Sequence, residues 1–311
     1  MERRVLIAID GSVGALKAVD YVGRTFAPVA EFIAVLLYIL PAPPPILQES
    51  KTDGQSLARL SLFKSKTKKQ AESVLNRAQE ELGRLGWEGR RIETKLLNAA
   101  SGAAKDIVFE AQNGLYDAVA LGRRGLGRLQ EMFLGSVSQQ VVSEAKTVPV
   151  WVVDGEPVGS KVLLALDGSE DSFRAVDHVG FILARQPQVE VFLSHVSTQL
   201  ADYCPLGLDE ELRELQDELE SEEEDHCLRT FFAKAMKMLV EAGVPKERIS
   251  VRFKRKGLEV ARAILQEARE TGCGTVVVGR RGVSKVKELF LGSVSARVLQ
   301  GANDLAVWVV G

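Results

Sequence analysis

"VLIAIDGS" at residues 5–12 returns as "VLLALDGS" at residues 162–169. Each is a run of five apolar residues closed by Asp-Gly-Ser, which is how a strand buried on both faces stops at a turn and passes into a helix. The copying continues along the chain. "AVDYVG" from Ala18 matches "AVDHVG" from Ala175, "GRRGLGRLQEMFLGSVS" (122–138) matches "GRRGVSKVKELFLGSVS" (279–295), and "PVWVV" (149–153) matches "AVWVV" (306–310). Asp10 and Asp167, Gly122 and Gly279, and Trp151 and Trp308 all stand 157 residues apart, so the chain is a tandem duplication. The joint is "DGEPVGS" (154–160), whose Gly, Pro and Ser favour a turn, and it divides the chain into domains 1–156 and 157–311.

The bulk composition agrees with two domains of ordinary size. With 311 residues, 46% hydrophobic and 26% charged, each half can bury its own core. A formal net charge of -2 gives no global attraction to nucleic acid or membrane, so neither is expected as a partner. "MERRVLIAIDGS" reads as a strand rather than a signal peptide, because Asp10 interrupts its apolar core, and "FIAVLLYILP" is too short to span a bilayer. A cytoplasmic protein is the expectation. Cys204, Cys227 and Cys273 form no CxxC pair, and Cys204, His226 and Cys227 lack the spacing and fourth ligand of a metal site. Reduced thiols are expected, and no protein-borne metal site.

Within the first copy, strands are expected near Val5 to Ile9, Ile33 to Ile39, Ile92 to Leu97, Ala118 to Leu121 and Val148 to Val153. Helical patterns fall between them: Ser12 to Thr25, a long one ending near Leu85, Ala103 to Asn113, and Ser136 to Ala145. Near-continuous apolar strands alternating with helices predict a doubly wound α/β layer around a parallel sheet, once in each copy. The copies diverge most after the second strand. The first has the proline-rich "PAPPPILQESKTDGQS" and the basic "KSKTKK"; the second has the acidic "DEELRELQDELESEEED", with Leu208, Leu212, Leu215 and Leu219 at helical spacing. The acidic stretch reads as an amphipathic helix with a solvated face, and as a partner-binding lid in the sharper alternative.

In an open parallel sheet, ligands collect beyond the carboxyl ends of the strands. There Asp10 and Asp167 end the first strand, Gly122 and Gly279 end the fourth, and Gly135-Ser136 and Gly292-Ser293 open the next helix. The repeated frame is G-x-x-G, nine residues, then G-S. A glycine turn offers backbone amides without side-chain obstruction, and the free amides of a helix start with the hydroxyl of Ser136 or Ser293 complete an anion cradle. Arg123, Arg124, Arg280 and Arg281 stand near enough in sequence to add positive charge. The blander alternative is that Ser136 only caps its helix, assisted by Gln139 in an S-x-x-Q box, although the second copy has Ala296 there. There is no Walker loop, and the dinucleotide fingerprint that Gly127 hints at is broken by its repeat partner Ser284.

Taken together, the frame, the early Asp-Gly-Ser and the terminal "PVWVV" resemble the universal stress protein family over essentially all of both copies. The resemblance implies tandem five-stranded parallel sheets of the adenine nucleotide alpha hydrolase-like kind, in strand order 3-2-1-4-5. It also implies last strands that cross, so that the copies pack as a pseudo-twofold pair open to further homodimerisation. Carried onto this chain, Asp10 and Asp167 would help hold the adenosine end of ATP, and the backbones of Ile39 and Val196 would contact adenine. Gly122, Gly125, Gly135 and Ser136, with Gly279, Gly282, Gly292 and Ser293, would hold the phosphates. Ser138 and Ser295 stand close behind, and Arg123 and Arg280 lie inside the frame. The cofactor implied is ATP, with or without Mg²⁺, in a stress-response regulator that acts on a protein partner. Ala15 departs from the family's serine, which the second copy keeps at Ser172, so two equally occupied sites are not implied.

Nothing in the pattern supplies chemistry on the nucleotide. Hydrolysis needs a positioned water and commonly a base or orienting group. His195 has Tyr38 as its repeat partner and His178 has Tyr21, so both read as structural and no catalytic residue is assigned. A slow Mg²⁺-dependent ATPase and a scaffold that binds no nucleotide are the alternatives.

Overall fold

The computed structural model describes residues 2–49, 54–126, 134–157, 160–186, 188–197, 230–255, 259–282 and 291–311. The acidic stretch, Cys204, His226, Cys227, Gly127 and Ser284 lie outside these residues. The chain forms two compact units: Met1–Pro157 with Ala302–Trp308, and Val158–Gly301 with Val309–Gly311.

In the first unit, β1 (Arg3–Ala8) leads to α1 (Val13–Phe26), then β2 (Phe32–Leu40), the short α2 (Pro45–Glu49) and the long α3 (Gly54–Arg84). Next come β3 (Ile92–Asn98), α4 (Ala103–Asn113), β4 (Ala118–Gly122), α5 (Ser136–Glu144) and β5 (Val150–Val153). The strands lie in the order β3-β2-β1-β4-β5, all neighbours parallel, with Val5 paired to Ala34 on one side and to Ala118 on the other. β1 is central because its residues are apolar on both faces: Val5, Leu6 and Ile7 are completely buried. Both the expected α/β class and the expected strand order are found.

Helix α1 starts where Ser12, in extended conformation, accepts a hydrogen bond from the Ala15 N–H at 3.1 Å, satisfying one of the amides that a helix start leaves unpaired. Its other end is held by Arg91. That buried guanidinium donates to the carbonyls of Phe26, Ala27, Val29 and Phe32, covering the turn between α1 and β2. Helix α3 buries only Ala71, Leu75, Ala78 and Leu82, all in its C-terminal half, so the lysines of "KSKTKK" sit on an exposed portion. The core of this unit contains a run of rings. Phe26 stacks on Phe32 and on Trp151 at centroid distances of 4.1 and 5.5 Å, and Trp151 stacks on Trp308 at 4.2 Å.

The second unit repeats the order with β6 (Lys161–Ala165), α6 (Glu170–Leu183), β7 (Glu190–Ser197), α7 (230–242) and β8 (Ile249–Arg255). It continues with α8 (Val260–Thr271), β9 (Thr275–Gly279) and α9 (Ser293–Gly301); β10 (Ala306–Val310) follows, its residues up to Trp308 belonging to the first unit. β8-β7-β6-β9 are parallel neighbours, and the Arg280 N–H donates to the Val310 carbonyl. No helix among the described residues is long and apolar enough to cross a membrane.

Candidate functional site

In the first unit the ends of β1 and β4 and the start of α5 converge, as the switch-point rule requires. Asp10 ties them together. Its Oδ1 accepts the Ser12 N–H at 2.9 Å and its Oδ2 accepts the Leu126 N–H at 3.2 Å, so one carboxylate fixes both the turn into α1 and the loop after β4. Gly11 between them has φ of +84°, a conformation that L side chains rarely adopt.

The glycines of the frame are explained by approach rather than by left-handed backbone. A Cβ at Gly122 would lie 2.3 Å from the backbone of Gly14, and one at Gly125 would lie 2.6 Å from Asp10 Oδ2. At Gly135 it would lie 3.2 Å from the Arg123 carbonyl oxygen, to which the Gly135 N–H donates at 2.8 Å. Ser138, buried, donates its hydroxyl to the Gly122 carbonyl at 2.8 Å. The loop therefore lies closer to the α1 backbone at Gly122 and to the Asp10 carboxylate at Gly125 than a Cβ allows, and the Gly135 N–H ties it to the start of α5.

Gly135, not Ser136, occupies the cap position of α5, and no side chain caps that helix. The S-x-x-Q box expected as the alternative reading is thus not formed, and Ser136 sits exposed at the first helical position. The N-terminal amides of α5 have no side-chain cap, which leaves this helix start suited to an anion.

Beside these elements lies a cleft of about 110 Å³, open to solvent. Asp10, Ser12, Gly122, Arg124 and Ser138 supply its polar lining, and Ala15, Leu37, Ile39, Ala103, Ile107, Leu121 and Val137 its apolar wall. A mostly apolar cleft with a few convergent polar groups is the usual form of a small-molecule site. Of the residues proposed from sequence, Asp10, Ile39, Gly122 and Ser138 line it, while Gly125, Gly135 and Ser136 shape its neighbourhood. Arg123 does not reach it. That guanidinium is buried, with Asp154 Oδ2 at 3.2 Å, Asn303 Oδ1 at 3.0 Å and the Ala302 carbonyl as its acceptors, and Arg124 lines the cleft in its place. Ala103 and Ile107 were not foreseen as lining. Their i, i+4 spacing marks a buried helix face, and nothing local separates a face against a cleft from one against a core. Burial and the nearby charge of Asp10 raise the Tyr38 hydroxyl above its ordinary pKa.

The second unit keeps the same skeleton. Ser295 donates to the Gly279 carbonyl at 2.6 Å, the Gly292 N–H donates to the Arg280 carbonyl at 2.8 Å, and a Cβ at Gly282 would lie 2.5 Å from Asp167 Oδ2. Ser293 opens α9, and Val196 lies buried on β7. Arg280 matches Arg123 in being buried, and that burial lowers its pKa. The second unit differs in its first helical turn. Ser172 donates to Asp167 Oδ1 at 2.6 Å, and Asp171 accepts the Arg281 N–H at 3.0 Å. His195 presents Nδ1 to the Leu166 carbonyl at 2.8 Å, and His178 is buried with its pKa lowered to about 3 by desolvation, so both histidines serve the fold.

The sequence profile of the Universal stress protein family matches residues 1–154 and again residues 160–310. Universal stress protein YxiE of Bacillus subtilis is 34% identical over 143 residues, which is 45% of this chain and 92% of that protein. A universal stress protein of Mycolicibacterium smegmatis is 31% identical over 190 residues, spanning 60% of this chain and 58% of its own length. A crystal structure of a universal stress protein from Archaeoglobus fulgidus aligns over 99% of this chain and 97% of that one, with a TM-score of 0.64 and 21% identity. That likeness bears on the fold.

Proposed function

The chain belongs to the universal stress protein family, and from that premise we propose that its first unit binds an adenine nucleotide, ATP, as a regulatory ligand of the stress response. The observation that carries this reading is the composition of the cleft from end to end. Leu37, Ile39 and Ile107 offer an apolar wall for a base, Asp10 offers a carboxylate for hydroxyl or amino donors, and the uncapped start of α5 lies beside the Arg124 lining. A triphosphate fits that last end, because helix-start amides and a guanidinium both favour negative charge. The frame itself carries no side chain at Gly122 or Gly125, where even a methyl group would meet the Gly14 backbone or the Asp10 carboxylate.

Bound nucleotide acts here as a signal rather than as a substrate. Of the described histidines, His178 supports no base role, being buried with its pKa lowered to about 3, and His195 belongs to the second unit, where its Nδ1 lies against the Leu166 carbonyl. The partner that reads the signal is a protein contacting the surface around the frame. The test is calorimetric titration of the purified chain with ATP, together with mass analysis of whatever adenine nucleotide is released on denaturation. Saturable binding that is lost in Gly135→Trp is expected. Absence of both co-purifying nucleotide and calorimetric binding overturns the reading.

A further inference from the structure

The two glycine loops are copies, yet the helix turn beneath each is different. Under the first loop stand Gly14 and Ala15; under the second, at the same repeat positions, stand Asp171 and Ser172. In the first unit no carboxylate stands at this contact: a Cβ at Gly14 would lie 2.1 Å from the Arg124 carbonyl oxygen, which the Ser12 hydroxyl approaches at 3.5 Å. In the second unit a carboxylate fills the contact. Asp171, 5% exposed, accepts the Arg281 backbone N–H on Oδ2 at 3.0 Å, with Arg281 Nε 3.5 Å from the same oxygen and Arg174 Nη1 3.4 Å from the other.

Arg281 is the third residue of its G-x-x-G, so this amide belongs to the loop that would face a phosphate. An internal anion holds it already. An incoming polyphosphate would have to displace that hydrogen bond and lie against a carboxylate shielded from water, where like charges repel strongly. A second difference lies beside it. Asp167 Oδ1 accepts the Ser169 N–H at 3.0 Å, as Asp10 Oδ1 accepts the Ser12 N–H, but it also accepts the Ser172 hydroxyl at 2.6 Å, a donor that the first copy lacks because Ala15 stands there.

We infer that Asp171 is a built-in anion that holds the second unit's glycine loop and excludes polyphosphate, so that the chain takes up one ATP, in its first unit. This rests on the proposed function above. The duplication thereby yields one loop that answers to nucleotide and one that is held permanently by the protein itself.

The experiment is the stoichiometry of ATP binding to the full chain, by calorimetry and by equilibrium dialysis. Wild type binds one ATP per chain, and Gly135→Trp abolishes it. Asp171→Gly, which installs the first copy's residue, binds two, its second site at least about tenfold tighter than any second site of wild type. Asp171→Asn removes the charge while keeping an oxygen for the Arg281 amide, and it also gains a second ATP, which covers failure of the glycine variant to fold. Two ATP per wild-type chain, one that survives Gly135→Trp, or one still bound by both Asp171 variants overturns this inference and leaves nucleotide binding standing. No ATP on wild type overturns both.

Discussion

Gly122 and Gly279 end equivalent strands and carry the same motif, but they are not equally constrained. A methyl group at Gly122 would meet the backbone of Gly14 at 2.3 Å, whereas at Gly279 the nearest atom, the Asp171 carbonyl carbon, is 3.1 Å away. The difference comes from the helix beneath. Gly14 lets α1 sit directly on its loop, while the Asp171 side chain needs room and fills it with a carboxylate. The duplication therefore preserved the backbone path while the means of holding it changed. A buried glutamate shows the same divergence. Glu110 accepts a hydrogen bond from the Tyr116 hydroxyl, burial raising that tyrosine's pKa to about 12 with the glutamate's help, whereas Glu267 accepts one from Ser194.

The largest expected effect tests the ring stack. Trp151 lies between Phe26 and Trp308, whereas Leu183 stands at the repeat position of Phe26. Trp151→Ala should destabilise by about 3–5 kcal/mol, as loss of a fully buried large aromatic does, measured as a shift in the denaturant midpoint. A loss below about 1 kcal/mol would mean that the ring column is not what holds this core. The paired glycines come next. Gly122→Ala should cost about 1–3 kcal/mol, since backbone must move, and Gly279→Ala less than about 1 kcal/mol. Equal losses would break the comparison.

The last effect is absent at neutral pH and appears only on acidification. His178 replaces the first copy's Tyr21 and stays neutral in the folded chain down to about 3, against about 6.5 when unfolded. Above the unfolded value its protonation does not bear on stability. As the pH falls below it, the unfolded chain takes up a proton that the folded chain refuses, so stability declines by up to about 1.4 kcal/mol per pH unit until the folded value is reached. His178→Tyr should flatten that acid limb and leave stability near neutral pH almost unchanged. Thermal melts between pH 7 and pH 4 that run parallel in the two proteins would show that the imidazole is not the group responsible.

Much of the fold was legible because it rests on local pattern. The apolar runs at Val5 and Val162 are strands for the reason given by their composition, and helix α1 starts at Ser12 because the side chain caps it. Within the candidate site, Asp10, Ile39 and Gly122 were recoverable from position at the strand ends. The two neighbouring arginines were not separable. Arg123 and Arg124 are chemically identical and adjacent, and only the acceptors that surround Arg123, at Asp154, Ala302 and Asn303, assign it to the interior. Ser138 likewise lines the cleft while spending its proton on the Gly122 carbonyl.

The sequence by itself determined the duplication, the α/β class, the order of elements and the place where a ligand would gather. These come from periodicity and from a repeat spacing, which are properties of the linear chain. The tertiary structure decided why the glycines are glycines, which arginine reaches the cleft, and what Asp171 does. Each of those depends on two segments meeting from distant parts of the chain: Gly14 against Arg124, Gly125 against the Asp10 carboxylate, the Asp171 carboxylate against the Arg281 N–H. A distance between such segments exists only once the chain has folded.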